Sequence, residues 1–158
     1  MAKWKFEGND KYIEYLRSLD VNADEMIRKA VYKGAGVVAD SVRSSINGIK
    51  TDDSRTKEMR SGPTSQQKSG LQKGFGISRM NNENGYINVK LGFAGRNGRK
   101  SKRKAQAEAN ITAARNIESG TPYMAKQPFM RKAVNSAKKA CEQIMADTFD
   151  DEIKKITP

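Results

Sequence analysis

The chain has no histidine and only one cysteine, Cys141, in 158 residues. Without histidine there is no imidazole to act as base for a serine or cysteine nucleophile, and none to ligate zinc. With one cysteine no intrachain disulfide can form, which suits a reducing compartment. Cys141 falls at an apolar position of a helical pattern and reads as a small buried hydrophobe. Long hydrophobic runs are also missing. Charge interrupts every apolar stretch well short of the ~18 residues that would mark a membrane span. The first ten residues contain no apolar signal core, so export by a signal peptide is not expected.

Apolar side chains are scarce as well, at 36%. The usual share is roughly 45–50% in a tally that also counts glycine, so only a modest core can be built. The length suits one domain across residues 1–158. Carboxylates cluster at Asp52–Asp53, in a polar stretch, and at Asp150–Asp151–Glu152, near a helix end. Both read as solvated charge rather than as a metal site or a catalytic pair. No enzyme site, metal or cofactor is expected.

What the chain does have is positive charge, unevenly spread. The formal net charge is +12. Residues 1–54 hold nine bases and nine acids, residues 55–104 thirteen and two, and residues 105–158 eight and seven. Nearly all of the excess therefore sits in the middle third, which points to a localised electrostatic surface. Its densest part is a loop at 95–104, where Arg96, Arg99, Lys100, Lys102, Arg103 and Lys104 come with two glycines and no acid. The composition predicts a flexible loop. Three readings stay open for it: contact with nucleic-acid phosphates, docking of an acidic partner, or plain solvation. It has no aromatic side chain, so any DNA contact would be blind to sequence.

Periodicity predicts an α+β fold: long helices packed on a small antiparallel sheet. Asn9 or Asp10 can cap a short first helix bearing Tyr12, Tyr15, Leu16 and Leu19. A second helix is expected to start at Asn22–Glu25 and run to Asn47–Gly48, burying Met26, Ile27, Ala30, Val31, Gly34, Val38, Val42 and Ile46. Gly34 and Gly36 weaken it unless another backbone packs close. Residues 50–69 read as a long polar loop. Two alternating stretches about the Asn81–Gly85 turn predict a β-hairpin across 71–93, with Leu71, Phe75 and Ile77 on one strand and Ile87, Val89, Leu91 and Phe93 on the other. A short helix is expected from Ala105 to Ile117, with Ile111, Ala114 and Ile117 inward. A last helix should carry Pro128 in its first turn and bury Met130, Val134, Ala137, Cys141, Ile144, Met145, Thr148 and Phe149.

This order of parts resembles the small head–tail joining or tail-completion proteins of the neck of long-tailed bacteriophages. The resemblance spans roughly residues 23–150. It rests on the early long helix, the Ser69-Gly70-Leu71 step, the hairpin, and two motifs. Glu118-Ser119-Gly120-Thr121 is similar to the family's Glu-(any)-Gly-Thr. Gln127-Pro128-Phe129-Met130-Arg131-Lys132-Ala133 is similar to its Gln-Pro-Phe-(apolar)-Arg-Pro-Ala. Lys132 stands where the family often has proline, and the 95–110 segment is longer and more basic than the family pattern. From the residues alone, Gly120–Thr121–Pro122 is a turn and Gln127–Pro128–Phe129 a helix start, with Phe129 anchored in the core.

The resemblance implies a virion protein without catalytic function, assembled in the host cytoplasm. It implies a homo-oligomeric ring of six, with twelve as the alternative, bound to neighbouring neck and tail proteins, with genomic DNA passing through its channel and no membrane partner. A runner-up reading is a sequence-nonspecific nucleic-acid-binding module that clamps with Arg96–Lys104. Tight DNA binding in a channel would oppose sliding of the genome. An outward or inter-ring role for the loop therefore fits better, its cations meeting carboxylates of a neighbouring ring.

Overall fold

A computed structural model of the chain describes residues 10–54, 59–84, 86–100 and 105–156. The elements are α1 (Asp10–Asn47), α2 (Ser65–Gly74), β1 (Phe75–Ile77), β2 (Asn81–Glu83), β3 (Tyr86–Asn88), β4 (Leu91–Phe93), α3 (Asn110–Ser119) and α4 (Met130–Ile156). This is an α+β arrangement of long helices with a small antiparallel strand set, as the periodicity predicts.

α1 and α4 form an antiparallel stalk. Ser41 Oγ donates to the Ala133 carbonyl at 3.0 Å, and Lys29 Nζ donates to Glu152 at 3.0 Å farther along. The predicted break near residue 22 does not occur: α1 is one helix of 38 residues. The Asn22 side-chain amide donates to the Ser18 carbonyl at 2.7 Å, one turn back, so a residue read as a cap is satisfied inside the helix instead. The expected inward positions Tyr12, Tyr15 and Leu16 lie outside the described side chains. Between the helices, a Cβ on Gly34 would come within 2.6 Å of Met145 Cγ and 3.0 Å of Cys141 Sγ. Gly34 therefore permits the close approach, whereas a Cβ on Gly36 would meet nothing within 4 Å.

The stripe α1 buries is narrower than expected. Met26, Ala30, Ala39, Val42 and Ile46 are buried, but Ile27 is 37% exposed. Among the described residues, α4 alone covers this part of α1, so a residue about 100° round the helix from Met26 reaches water. The same reasoning corrects Val134 in α4, 42% exposed while Ala133 is buried, and Ile111 in α3, 41% exposed while Asn110, Ala113, Ala114 and Ile117 are buried. Cys141 is only partly buried.

The polar stretch ends earlier than expected. α2 begins at Ser65 under a capping box, in which Thr64 Oγ1 accepts from Gln67 N at 3.2 Å and Gln67 Oε1 accepts from Thr64 N at 3.0 Å. Leu71 is therefore a fully buried helical residue, and the first strand begins only at Phe75. The hairpin is broken into two ladders. β1 pairs with β4 in the register Phe75↔Phe93 and Ile77↔Leu91, and β2 pairs with β3 as Asn81↔Asn88 and Glu83↔Tyr86. Ser78 and Lys90 link the two ladders: Ser78 N donates to the Lys90 carbonyl, and Lys90 N donates to Ser78 Oγ. Asn84, with φ of 54°, turns the tip.

The core lies where α1 ends. Val42, Ile46 and Ile49 pack with Leu71, Phe75, Ile117, Met124 and Phe129. The Phe75 and Phe93 rings lie 5.3 Å apart between centroids, tilted by 50°, and Phe93 meets Phe129 edge-on at 6.2 Å. α2, α3 and the strands thus form a head at one end of the stalk. No helix among the described residues is long and apolar enough to cross a membrane.

Candidate functional site

The basic segment begins on an ordered root rather than as a free loop. Asn97 N donates to the Glu108 carbonyl at 3.1 Å, Glu108 N to the Arg99 carbonyl at 2.8 Å, and Asn110 N to the Gly95 carbonyl at 3.0 Å. Residues 95–99 and 108–110 therefore pair as a short antiparallel ribbon, centred on Arg96 opposite Ala109. This ladder explains why α3 begins at Asn110 and not near Ala105: the backbone of 108–110 is committed to the ribbon. Gly95 and Gly98 take φ of 75° and 78°, conformations that a side chain disfavours.

A buried polar network fixes the root to α2. Gln67 Nε2 and Asn97 Nδ2 both donate to Glu108 Oε2, at 2.8 and 3.0 Å. Asn97 Oδ1 accepts from Arg99 N at 2.9 Å. Asn110 Nδ2 donates to the Ala94 carbonyl at 2.7 Å. Gln67, Asn97 and Asn110 are all at most 8% exposed. Gly70 allows the approach, since a Cβ there would lie 2.4 Å from Asn97 Cβ. Glu108, the one acid on the ribbon, is held by neutral amides and leaves the neighbouring cations uncompensated.

Those cations separate into two kinds. Arg96 is used internally, its guanidinium donating to the Ala107 carbonyl and to Gln106 Oε1. Arg99 and Lys100 make no ion pair among the described residues and line an open cleft of about 580 Å³ with Gln106, Thr112 and Asn116. Lys102, Arg103 and Lys104 lie outside the described residues. Arg96 thus fixes the root of the basic segment, here called the arm, and also lines the cleft.

The two motif segments come together as one joint. Gly120 ends α3 with φ of 78°, and a Cβ there would crowd the Lys126 backbone at 3.0 Å. Thr121 and Met124 exchange backbone hydrogen bonds at 2.9 and 3.1 Å. Glu118, whose role the sequence reading missed, caps α4. Its carboxylate accepts from Phe129 N and Met130 N at 2.9 Å and from Arg131 N at 3.1 Å, at the positive end of the helix dipole. Gln127 clasps Lys50 and Ser61: its Oε1 accepts from Lys50 N at 3.0 Å, and its Nε2 donates to the Lys50 and Ser61 carbonyls at 2.9 and 3.1 Å. Pro128 precedes α4 by two residues rather than lying in its first turn, and Phe129 is buried at 5% exposure.

Asp52 and Asp53 are also more than solvated charge. Asp52 accepts from Ser54 N at 3.0 Å and from Ser61 N at 2.9 Å, and Asp53 accepts from Ser65 N at 2.8 Å. Hydrogen bonds from Ser54 and Ser61 hold the Asp52 carboxyl well below the usual range, and those from Ser65 lower Asp53. The two carboxylates staple the polar stretch and the start of α2. Among the described residues, no group of three or more carboxylate, thiol or imidazole side chains is gathered to hold a metal ion. Comparison with protein-family models, curated proteins and solved structures finds no match to this chain.

Proposed function

We propose that this chain is a virion structural protein, a subunit of the ring that joins capsid portal to tail in the neck of a long-tailed bacteriophage. The observation that supports this most is the joint. The residues that carry the resemblance, Glu118, Gly120, Thr121, Gln127, Pro128 and Phe129, belong to one mechanical unit. It sets the angle between α3 and α4 and ties Lys50, Arg60 and Ser61 to both. None of these residues is spent on chemistry. A joint of this kind holds a stalk and an arm in fixed relation, as a subunit with repeated neighbours requires. The partners are further copies of the chain, in a ring of six with twelve as the alternative, together with adjoining neck and tail proteins. Genomic DNA passes through the channel.

The experiment is reversal of Arg99, Lys100, Lys102, Arg103 and Lys104 to Glu in the native phage, beside a deletion of the whole protein. Deletion should give filled heads and free tails that fail to join, and normal joined particles would sink the reading. The reversed variant should give folded subunits and the same unjoined parts. Normal particle yield would reduce the arm to solvated charge, and joined particles that fail only at DNA retention would place it in the channel. A purified protein that stays monomeric and retains DNA in a salt-dependent way would favour the nucleic-acid-binding alternative.

A further inference from the structure

Charge is segregated along the molecule. In α1, five of six acids (Asp10, Glu14, Asp20, Asp24 and Glu25) lie in residues 10–25, alongside two bases. In α4, all five acids (Glu142, Asp147, Asp150, Asp151 and Glu152) follow Cys141, whereas residues 130–139 carry four bases and no acid. The helices run antiparallel, so both acid-rich ends fall at the end of the stalk away from the head. At the head, the described residues within 65–110 hold seven bases and two acids, and one of those acids is Glu108, already committed to Gln67 and Asn97.

Among the described residues, the stalk end is also unpartnered. Lys29 of α1 faces Glu152 of α4, and α4 stops at Ile156. Roughly the first four turns of α1 therefore overhang α4. Val21 on this overhang is 81% exposed. Asp20, Asp24 and Asp150 are exposed and make no ion pair among the described residues. At the other end Arg99 and Lys100 are equally unpaired beside an open cleft, and Arg115 is exposed on α3, next to Asn116 of the cleft wall.

We infer that the molecule associates head to tail, the basic cleft at Arg99, Lys100 and Arg115 of one copy receiving the acidic end of the stalk of a second copy. The two surfaces are opposite in charge, lie at opposite ends of the described chain, and each carries charged side chains with no ion pair among the described residues. A cleft beside α3 accepts a helix end, and exposed Val21 offers an apolar contact inside a charged rim. A contact between different surfaces of identical copies is heterologous, so it closes into a ring or runs on as a filament. The inference rests on the ring reading for closure alone. Being electrostatic and near the surface, the contact weakens with salt, since screening acts within about 8–10 Å near physiological ionic strength.

The test is a charge swap on the full chain, read by mass photometry or sedimentation across a salt series. One variant carries Arg99→Glu, Lys100→Glu and Arg115→Glu; the other carries Asp20→Lys, Asp24→Lys and Asp150→Lys. All six sites are surface positions, and circular dichroism checks that both variants fold. Each variant alone should associate at least roughly tenfold more weakly than the parent. A mixture of the two should restore assembly, because each reversed head then meets a reversed stalk end. Either variant assembling like the parent, or a folded mixture that stays monomeric, overturns the inference. So does an arm variant that keeps the parent's oligomeric state and loses only retention of a duplex DNA probe, which would make the arm a nucleic-acid surface. A closed ring indifferent to both variants sinks this contact and leaves the ring reading standing. Open filaments that obey the swap support the contact and sink the ring.

Discussion

The stalk and the head solve the same shortage of apolar residues in different ways. The stalk uses length and closeness: two helices, a thin apolar stripe, Gly34 at the tightest point, and ion pairs such as Lys29 with Glu25 and Glu152 on its flanks. The head uses convergence. Three short elements and the α3–α4 connection bring Leu71, Phe75, Ile117, Met124 and Phe129 to one point, and hydrogen-bonded side chains finish what apolar burial leaves open. Gln67, Glu108, Glu118 and Gln127 each satisfy groups from a distant part of the chain. A stripe tolerates single losses because its contacts are spread out. A convergent core concentrates its energy in a few side chains, and a network leaves buried groups unpaired when one member goes.

Variants can break that contrast. The largest effect should be at the head, where Phe129→Ala removes a ring at the meeting point of Phe93 and α4 and should cost about 3–5 kcal/mol. Lys132→Ala, three residues along and exposed, should stay within about 0.5 kcal/mol. Equal melting temperatures for the two would place the wrong face of α4 inward. Next, Gly34→Ala should cost about 1–3 kcal/mol, because the new methyl overpacks against Met145 near its backbone end. Gly36→Ala, two residues on in open space, should gain about 0.5–1 kcal/mol from helix propensity. Urea melts of the pair decide whether the stalk depends on closeness at one point, and equal shifts would say that it does not. Glu118→Ala should cost about 1–2 kcal/mol by uncapping α4. Exchange protection should fall first at Phe129–Arg131, and unchanged protection there would deny the capping role.

Much of the stalk was legible in the sequence, and less of the head. Met26, Ala30, Gly34, Val42 and Ile46 announce α1 by spacing alone, and Ala137 and Thr148 do the same for α4, because one helix face against another is a local pattern repeated. The false break at residue 22 came from reading Asn22 and Asp24 as caps, when a polar residue can equally bond back into its own helix. In the head, Thr64–Gln67 carried the sequence signature of a capping box, and reading it would have placed α2 correctly. The tie between Glu118 and Phe129–Arg131, and the Gln67–Glu108–Asn97 network, left no such trace. Their partners lie 11 to 41 residues apart, and no periodicity encodes a contact made by convergence. The arm's charge was plain from composition, but its ordered root was not, because the ribbon is held by backbone groups that every residue carries.

The smallest expected effect separates the regions by pH. In the head, Asp52 and Asp53 are held below their ordinary range by hydrogen bonds from Ser54, Ser61 and Ser65. A carboxyl with a lowered folded pKa contributes stability that is complete above its unfolded value, about 4, and is lost as pH falls through the folded value. In the stalk, Glu152 is lowered by Lys155 and then Lys29, and follows the same sign. Lys29 is raised by Glu25 and then Glu152, so its contribution is complete below the unfolded value of about 10.4 and fades as pH rises through the folded one. Asp53 and Lys29 are exposed and Asp52 and Glu152 partly so, so screening keeps the effects local and small. Acid should therefore loosen both regions, and alkali the stalk alone. Hydrogen exchange from about pH 6 down to about pH 3 should show residues 51–54 and 61–65 losing protection relative to the core, with Asp52→Asn showing that loss already at neutral pH. If acid leaves 51–54 and 61–65 as protected as Ile46 and Leu71, the aspartates are not staples, and the head holds its polar stretch through Gln127 and the α2 capping box alone.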